Sequence, residues 1–252
     1  MPKEEKENKE EVNSKPQIEL KCDKSIFNKI FSRASPFIEE MPLEIKKEGL
    51  YTRIVDNSHV ALYEGFISKK LFDKYKVNVN TKIGVDVKRI QNPLSLADKK
   101  VTIEYDGSGR LKIDRYKSGL IDVRGMPEPK MPDLKPCIEL KTDKTDRIKK
   151  IMSVADKISD HFAFIVDKDK QLWLNVEGDI DELNEPIGKI KELHTPEYPV
   201  KAMFSIDFIS SVLKDLSGEI IIRFSTDNPV YIIEEKEDEK HVFLVAPRIE
   251  SE

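Results

Sequence analysis

The sequence predicts an α+β fold: two similar domains, each of mostly antiparallel strands with two helices covering one face. Three observations carry this expectation. The heptapeptide IELKCDK at 18–24 returns as IELKTDK at 138–144, six of seven residues alike across an offset of 120 positions. After each copy comes a helical apolar pattern and then a series of short strand-like runs, the order expected of one duplicated unit. Between the copies lies 119–137, GLIDVRGMPEPKMPDLKPC, whose four prolines exclude helix and make it an extended connector. The boundaries that follow are a charged tail at 1–16, a first domain at 17–118, the connector at 119–137 and a second domain at 138–252.

Residues 17–22 alternate as a strand. Asp23 stands at the N-cap position of a helix over 24–35, in which Ile26, Phe27, Ile30, Phe31 and Ala34 recur at helical spacing. Lys24, Asn28, Lys29 and Arg33 fall on the other face, and Pro36 ends the helix. Strands at 43–47, 50–55 and 60–67 follow, joined by Lys47-Glu48-Gly49 and by the polar turn Asp56-Asn57-Ser58-His59. After runs at 74–77 and 83–85, Asp86 is placed to cap a short helix that turns Lys88 and Arg89 outward and Ile90 and Leu94 inward. Pro93 is expected to kink or shorten that helix. A hairpin of 101–105 and 111–113 about the turn 106–109 completes the first copy.

In the second copy a strand at 138–142 leads to a helix with Ile148, Ile151, Met152 and Ala155 inward, and Arg147, Lys149, Lys150 and Ser153 outward. Strands at 162–166 and 172–176 precede a charged, weakly patterned region at 178–191. Ser205 is placed to cap a last helix with Ile206, Ile209, Leu213 and Leu216 as its apolar stripe, Lys214 opposite and Gly218 at its end. Strands at 219–224, 230–234 and 241–245 close the domain. Sheets with alternating faces need cover on one side, and two helices per copy supply it.

At 252 residues the chain suffices for two domains with a core each. A 36% charged content suits highly solvated faces, and no apolar run approaches the ~18 residues needed to span a membrane. The opening MPKEEKENKEEVNSKP has no apolar segment, so it does not read as a secretion signal and is expected to be disordered or loosely helical. Two cysteines, Cys22 and Cys137, make no disulfide framework and are expected to be small buried residues of an intracellular protein.

The marks of catalysis are missing. No GxGxxG, GxxxxGK[ST] or GxSxG occurs, His59, His161, His194 and His241 form no i,i+4 pair, and no CxxC is present. Neither a catalytic residue nor a metal or cofactor is expected. What the sequence does segregate is charge. A formal net charge of −4 argues against a general nucleic-acid binder. Yet the polar faces of the first two helices carry Lys24, Lys29, Arg33, Lys88 and Arg89 with no acid, and the later helices add Arg147, Lys149, Lys150 and Lys214. Four basic helix faces suit contact with phosphates. A second surface, a groove for a partner peptide, is suggested by apolar residues in odd places. Val55, Val60 and Leu62 flank a polar turn, and Met131 and Leu134 lie in a strap with little core of its own. Pro229, Val245, Ala246 and Pro247 fall toward the C-terminus.

Three segments resemble the sliding-clamp family, the proliferating-cell-nuclear-antigen type of DNA polymerase processivity factor. DNSHVAL at 56–62 is similar to the family's D-x-S-[HR]-V-x-L segment. LIDV at 120–123 followed by MPDL at 131–134 resembles its interdomain connector, and FLVAPRI at 243–249 resembles its L-A-P-[KR]-[IV] ending. The spacing fits over about 17–250. The resemblance implies the DNA-clamp fold and a trimeric ring, with helices lining a hole and sheets forming the wall. Double-stranded DNA would be encircled and met through its phosphates, without base readout, by the nine basic residues above. It implies a tether for replication and repair proteins, not an enzyme. DNA polymerase, clamp loader, flap endonuclease and DNA ligase would insert short helical peptides into a pocket of Val55, His59, Val60, Leu62, Met131, Pro132, Leu134, Pro229, Val245, Ala246 and Pro247. The location implied is cytoplasmic at the nucleoid, or nuclear in a eukaryote. Residues 114–119 leave only a short hairpin where the family has a longer edge strand for subunit pairing. Two alternatives therefore share the fold: a subunit of a heterotrimeric or checkpoint-type clamp, and a monomeric peptide-binding adaptor.

Overall fold

The computed structural model describes residues 17–249; the tail expected at 1–16 lies outside the described residues, as do 250–252. The first copy comprises β1 (Ile18–Asp23), α1 (Lys24–Ala34), β2 (Glu40–Lys46), β3 (Gly49–Val55), β4 (Ala61–Ser68), β5 (Lys74–Val77), β6 (Thr81–Asp86), α2 (Val87–Leu96), β7 (Lys100–Tyr105), β8 (Arg110–Ile113) and β9 (Tyr116–Gly119). The second comprises β10 (Ile138–Thr142), α3 (Thr145–Ala155), β11 (His161–Val166), β12 (Gln171–Glu177), β13 (Glu182–Lys189), β14 (Lys191–Glu192), β15 (Val200–Ser205), α4 (Ile206–Lys214), β16 (Ile220–Phe224), β17 (Val230–Lys236) and β18 (Glu239–Val245). The chain divides into two compact units. One holds 17–54, 64–128 and 237–239; the other holds 55–63, 129–236 and 240–249. Connector residues 119–128 thus pack with the first unit and 129–137 with the second.

In the first unit five antiparallel strands run in the order β5-β1-β7-β8-β9, with Ile18 opposite Tyr105 and Arg110 opposite Gly119. β6, β2 and β3 follow one another in a further antiparallel set. Helix α1 buries Phe27, Ile30, Phe31 and Ala34, and α2 buries Val87, Ile90, Pro93 and Leu94. Each such large side chain contributes about 1.5–3 kcal/mol when fully removed from water. The two helices lie side by side, Gln91 Nε2 donating to Asn28 Oδ1 at 3.3 Å. Asp86 caps α2 as expected, accepting from the Arg89 N–H at 2.9 Å. Asp23 occupies the N-cap position of α1 but makes no side-chain cap bond. Pro93 does not shorten α2, which runs to Leu96 and ends with the Ala97 N–H on the Pro93 carbonyl.

The second unit repeats the plan. β10 pairs with β14 and β16 as β1 pairs with β5 and β7, and the order runs on through β17 to β18. A separate sheet runs β13-β12-β11-β15. Helices α3 and α4 pack together, burying Ile148, Ile151, Met152 and Ala155 from one and Ile206, Ile209, Val212 and Leu213 from the other. Ser205 holds the N-cap position of α4 without a side-chain bond. Thr145 Oγ1 donates to the Gly218 carbonyl at 2.6 Å, and Gly218 takes the left-handed φ of 76° that glycine adopts without strain.

The weakly patterned region 178–191 contains an eight-residue strand, β13. Its side chains alternate in exposure, but Ile187 alone among them is buried, so the apolar period that marks a strand is absent. Pro186 is tolerated because β13 is an edge strand, where a missing N–H breaks no second ladder.

Candidate functional site

Two sets of residues carry the expected contacts. The first is the set of basic helix faces. Lys88 and Arg89 project from α2 with side chains 76% and 63% exposed, each with a looser acidic neighbour, Glu39 at 3.7 Å and Asp86 at 3.3 Å. Lys150 and Lys214 are exposed on α3 and α4, and Arg147 is half-exposed with Glu185 at 3.0 Å. Among the described residues α1 and α2 carry no acid, whereas α3 and α4 each have one in the first turn, Asp146 and Asp207. There an acid complements the positive helix N-terminus.

The other basic residues are engaged in the fold. Lys24 Nζ donates to the Ala97 carbonyl at the end of α2, and Lys29 pairs with Glu239, itself buried. Lys149 Nζ donates to the Lys214 and Leu216 carbonyls at the end of α4. Arg33, expected on the solvent face, is only 4% exposed. It stands two helical turns after Ile26, on the flank of the apolar stripe, and its Nε is buried with the rest of the side chain.

The second surface belongs wholly to the second unit. Val55, His59, Val60 and Leu62, Met131, Pro132 and Leu134, and Pro229, Val245, Ala246 and Pro247 all fall within its residues, although they span most of the chain. The turn before β4 is organised by Asp56, which is buried. Its carboxylate accepts from the Ser58 N–H and hydroxyl, the Val60 N–H and the Ala61 N–H. Burial pushes this carboxyl up, but the bonds from Ala61, Ser58 and Val60 outweigh it and hold Asp56 below the usual carboxylate range. His59 completes the turn at a left-handed φ of 59° and is exposed. The Ala246 N–H donates to the Val60 carbonyl at 2.8 Å, which fixes the chain end against this turn. Arg248 then bridges to Met203 through the backbone and to Asp160 through its side chain at 2.8 Å.

Connector residues 129–137 belong to the same unit. The Pro132 carbonyl accepts from the Leu134 N–H at 3.1 Å and from the Tyr231 hydroxyl at 3.2 Å. Met131 and Leu134 are half-buried and Pro132 is exposed. Val245, expected to line the groove, is 0% exposed, because β18 is buried along almost its whole length. It is core beneath the surface. Leu62 is nearly so, while Val55, Val60, Pro229, Ala246 and Pro247 are half-exposed. Two residues that organise this surface are not among the expected site residues. Asp56 enters the sequence analysis only as part of a polar turn and of the DNSHVAL segment; its organising part follows from the Asp-x-Ser signature, in which a short carboxylate accepts from N–H groups ahead of it. Nothing local marks Tyr231.

Elsewhere, Cys22 is buried, which pushes its thiol up to about 12, and Cys137 is half-buried at the end of the connector. His241 is buried against the Tyr63 hydroxyl at 2.9 Å. Among the described residues no trio of His, Cys, Asp or Glu is arranged to hold a metal, and no helix is long and apolar enough to cross a membrane.

Residues 18–109 match the family model for the proliferating cell nuclear antigen N-terminal domain. The DNA polymerase sliding clamp of Methanococcoides burtonii is 30% identical over 230 residues, covering 86% of this chain and 93% of its own. Two solved structures share the fold. Archaeoglobus fulgidus PCNA bound to the C-terminal region of FEN-1 has a TM-score of 0.82 at 24% identity, over 93% of this chain and all of that one. PCNA from Thermococcus kodakaraensis also has a TM-score of 0.82 at 24% identity, over 92% of this chain and all of that one. With the repeated strand–helix plan, the antiparallel sheets and these likenesses together, the chain belongs to the proliferating cell nuclear antigen family: it has the DNA-clamp fold and is a sliding clamp, not an enzyme.

Proposed function

We propose that three copies of this chain close into a ring around duplex DNA and tether replication and repair proteins through the groove of the second unit. The observation that carries this reading is a pair of open sheet edges with opposite charge. Among the described residues β9 pairs with β8 alone and β13 with β12 alone. An open strand edge is a template for another strand. The β8–β9 hairpin presents Arg110, Lys112, Arg115 and Lys117. The end of β12, the turn that follows and β13 itself present Glu177, Asp179, Asp181, Glu182 and Glu185. Two different edges on one chain make a head-to-tail contact, and such contacts close into rings when the rotation allows. Opposite charge on the two edges favours the correct pairing and hastens it.

Within the ring, Lys88, Arg89, Lys150, Lys214 and Arg147 face the duplex and meet phosphates without reading bases, so the clamp slides. DNA polymerase, clamp loader, flap endonuclease and DNA ligase dock short peptides in the groove. The FEN-1 region bound to the Archaeoglobus fulgidus protein supports that class of ligand. The four-residue length of β9 favours a second reading, a subunit that closes a ring only with sister chains.

Light scattering over a concentration and salt series tests the proposal. Three times the chain mass, persisting on dilution and weakening with salt, is expected, together with loader-dependent retention on circular but not linear duplex. A monomer at every concentration that also fails to stay on circular DNA overturns it. Assembly only with a sister chain moves the protein to the second reading.

A further inference from the structure

The groove reading requires the connector, a Pro-rich strap with little core of its own, to stand at one fixed place. Backbone entropy opposes this at about 1–2 kcal/mol for each residue held. Two hydroxyls of the second unit meet the strap. Ser225 Oγ accepts from the Cys137 N–H at 2.8 Å and donates to the Lys135 carbonyl at 3.4 Å, at the strap's C-terminal end. Tyr231 Oη donates to the Pro132 carbonyl, in the stretch that carries Met131 and Leu134. That carbonyl also accepts from the Leu134 N–H, closing a three-residue turn about Asp133.

Tyr231 is well placed for this. Pro229 immediately precedes β17 and stands two positions from Tyr231, so the extended chain there sets their side chains on one face, with Val230 buried on the other. A bond from Tyr231 to the strap therefore brings Met131 and Leu134 to the face that shows Pro229. Burial raises the Tyr231 phenol; the Leu134 N–H opposes this and the Asp133 charge adds to it, so the hydroxyl keeps its proton and donates.

We infer that Tyr231 is a positioning residue for peptide docking: its hydroxyl locks the turn at 132–134 and so sets the wall of the groove formed by Met131 and Leu134. This rests on the groove reading above. Ser225 holds the other end of the strap, which carries no groove residue, and is the natural control.

The test is titration of wild-type chain, Tyr231→Phe and Ser225→Ala with a synthetic peptide of the C-terminal region of FEN-1, followed by calorimetry, with amide exchange read at Leu134. Phenylalanine keeps the ring and loses one hydrogen bond, so affinity is expected to fall about three- to tenfold. The Leu134 amide is expected to exchange faster, while Ser225→Ala binds like wild type. Tyr231→Phe binding as tightly as wild type overturns the inference and leaves the groove standing. An equal loss in both variants also overturns it, because the strap would then need stiffness and not a set position. A wild-type chain that does not bind the peptide overturns the groove reading itself, and this inference with it.

Discussion

Lys149 reaches from α3 to the end of α4, where its ammonium donates to the Leu216 carbonyl at 2.7 Å and to the Lys214 carbonyl at 3.2 Å. Lys214 is the last residue of α4, and its carbonyl has no partner within the helix and lies at the negative end of the dipole; Leu216 lies just beyond it. Lys24 donates likewise to the carbonyl of Ala97, the residue that follows α2. Each helix pair is thus fastened at one end by a lysine from the first helix to the end of the second. Part of the basic character of these faces is therefore structural.

That division gives a contrast within one helix. Lys149→Ala should lower stability by about 1 kcal/mol, the scale of one charged hydrogen bond with a helix end. Lys150→Ala should stay within about 0.5 kcal/mol, as exposed substitutions do. Urea unfolding followed by circular dichroism separates them. Equal losses would mean that the Lys149 bonds contribute nothing.

Lys88, Arg89, Lys150 and Lys214 should carry the contact with DNA. Replacing all four by Ala should weaken retention on circular duplex and flatten its salt dependence, by about 0.9 in the log–log slope for each phosphate that is no longer neutralised. Binding of the FEN-1 peptide should not change, because these side chains stand on the helices and not in the groove. An unaltered salt slope would remove them from the interface.

The sequence places Leu134 and Val245 in one groove, but they should behave differently. Leu134→Ser removes a half-buried apolar side chain from the connector and should abolish peptide binding with little change in stability. Val245→Ser leaves a cavity and a buried hydroxyl in the core, and should cost about 2 kcal/mol or more. Thermal melts beside calorimetry distinguish the two. A fully stable Val245→Ser chain would contradict its burial.

The differences between sequence and structure have physical causes. The repeat was legible because Ile18, Leu20 and Cys22 alternate with charged residues as Ile138, Leu140 and Thr142 do, and a period of two with one buried side marks a strand. Asp86 was legible because a cap is a local interaction. β13 was not, since an edge strand that buries little has no apolar period to read. Arg33 differs because its charge suggests a solvent face, whereas its spacing, three residues after Ile30 and seven after Ile26, sets it at the edge of the apolar stripe, where the whole side chain is buried. Val245 was misplaced for the opposite reason: an apolar residue near a chain end reads as surface until its neighbours are known. Tyr231 was invisible because its partner, the Pro132 carbonyl, is 99 residues away.

Acid should loosen the turn before β4. Asp56 accepts four bonds within that turn, and these hold its carboxyl below the usual value despite burial. A group whose folded pKa is depressed contributes stability that is fully present above its unfolded pKa, about 3.9, and is lost as pH falls through the folded value. Wild type should therefore exceed Asp56→Asn by a constant margin from pH 7 down to about 5, and the margin should shrink below about 4. The same bonds fix the Val60 N–H and the left-handed His59 beside the groove, so peptide affinity should be lower in the variant across the neutral range. Urea midpoints of both chains from pH 7 to 3 test this. A margin that stays constant to pH 3, or grows, would show that the ionised Asp56 carboxylate is not what holds the turn.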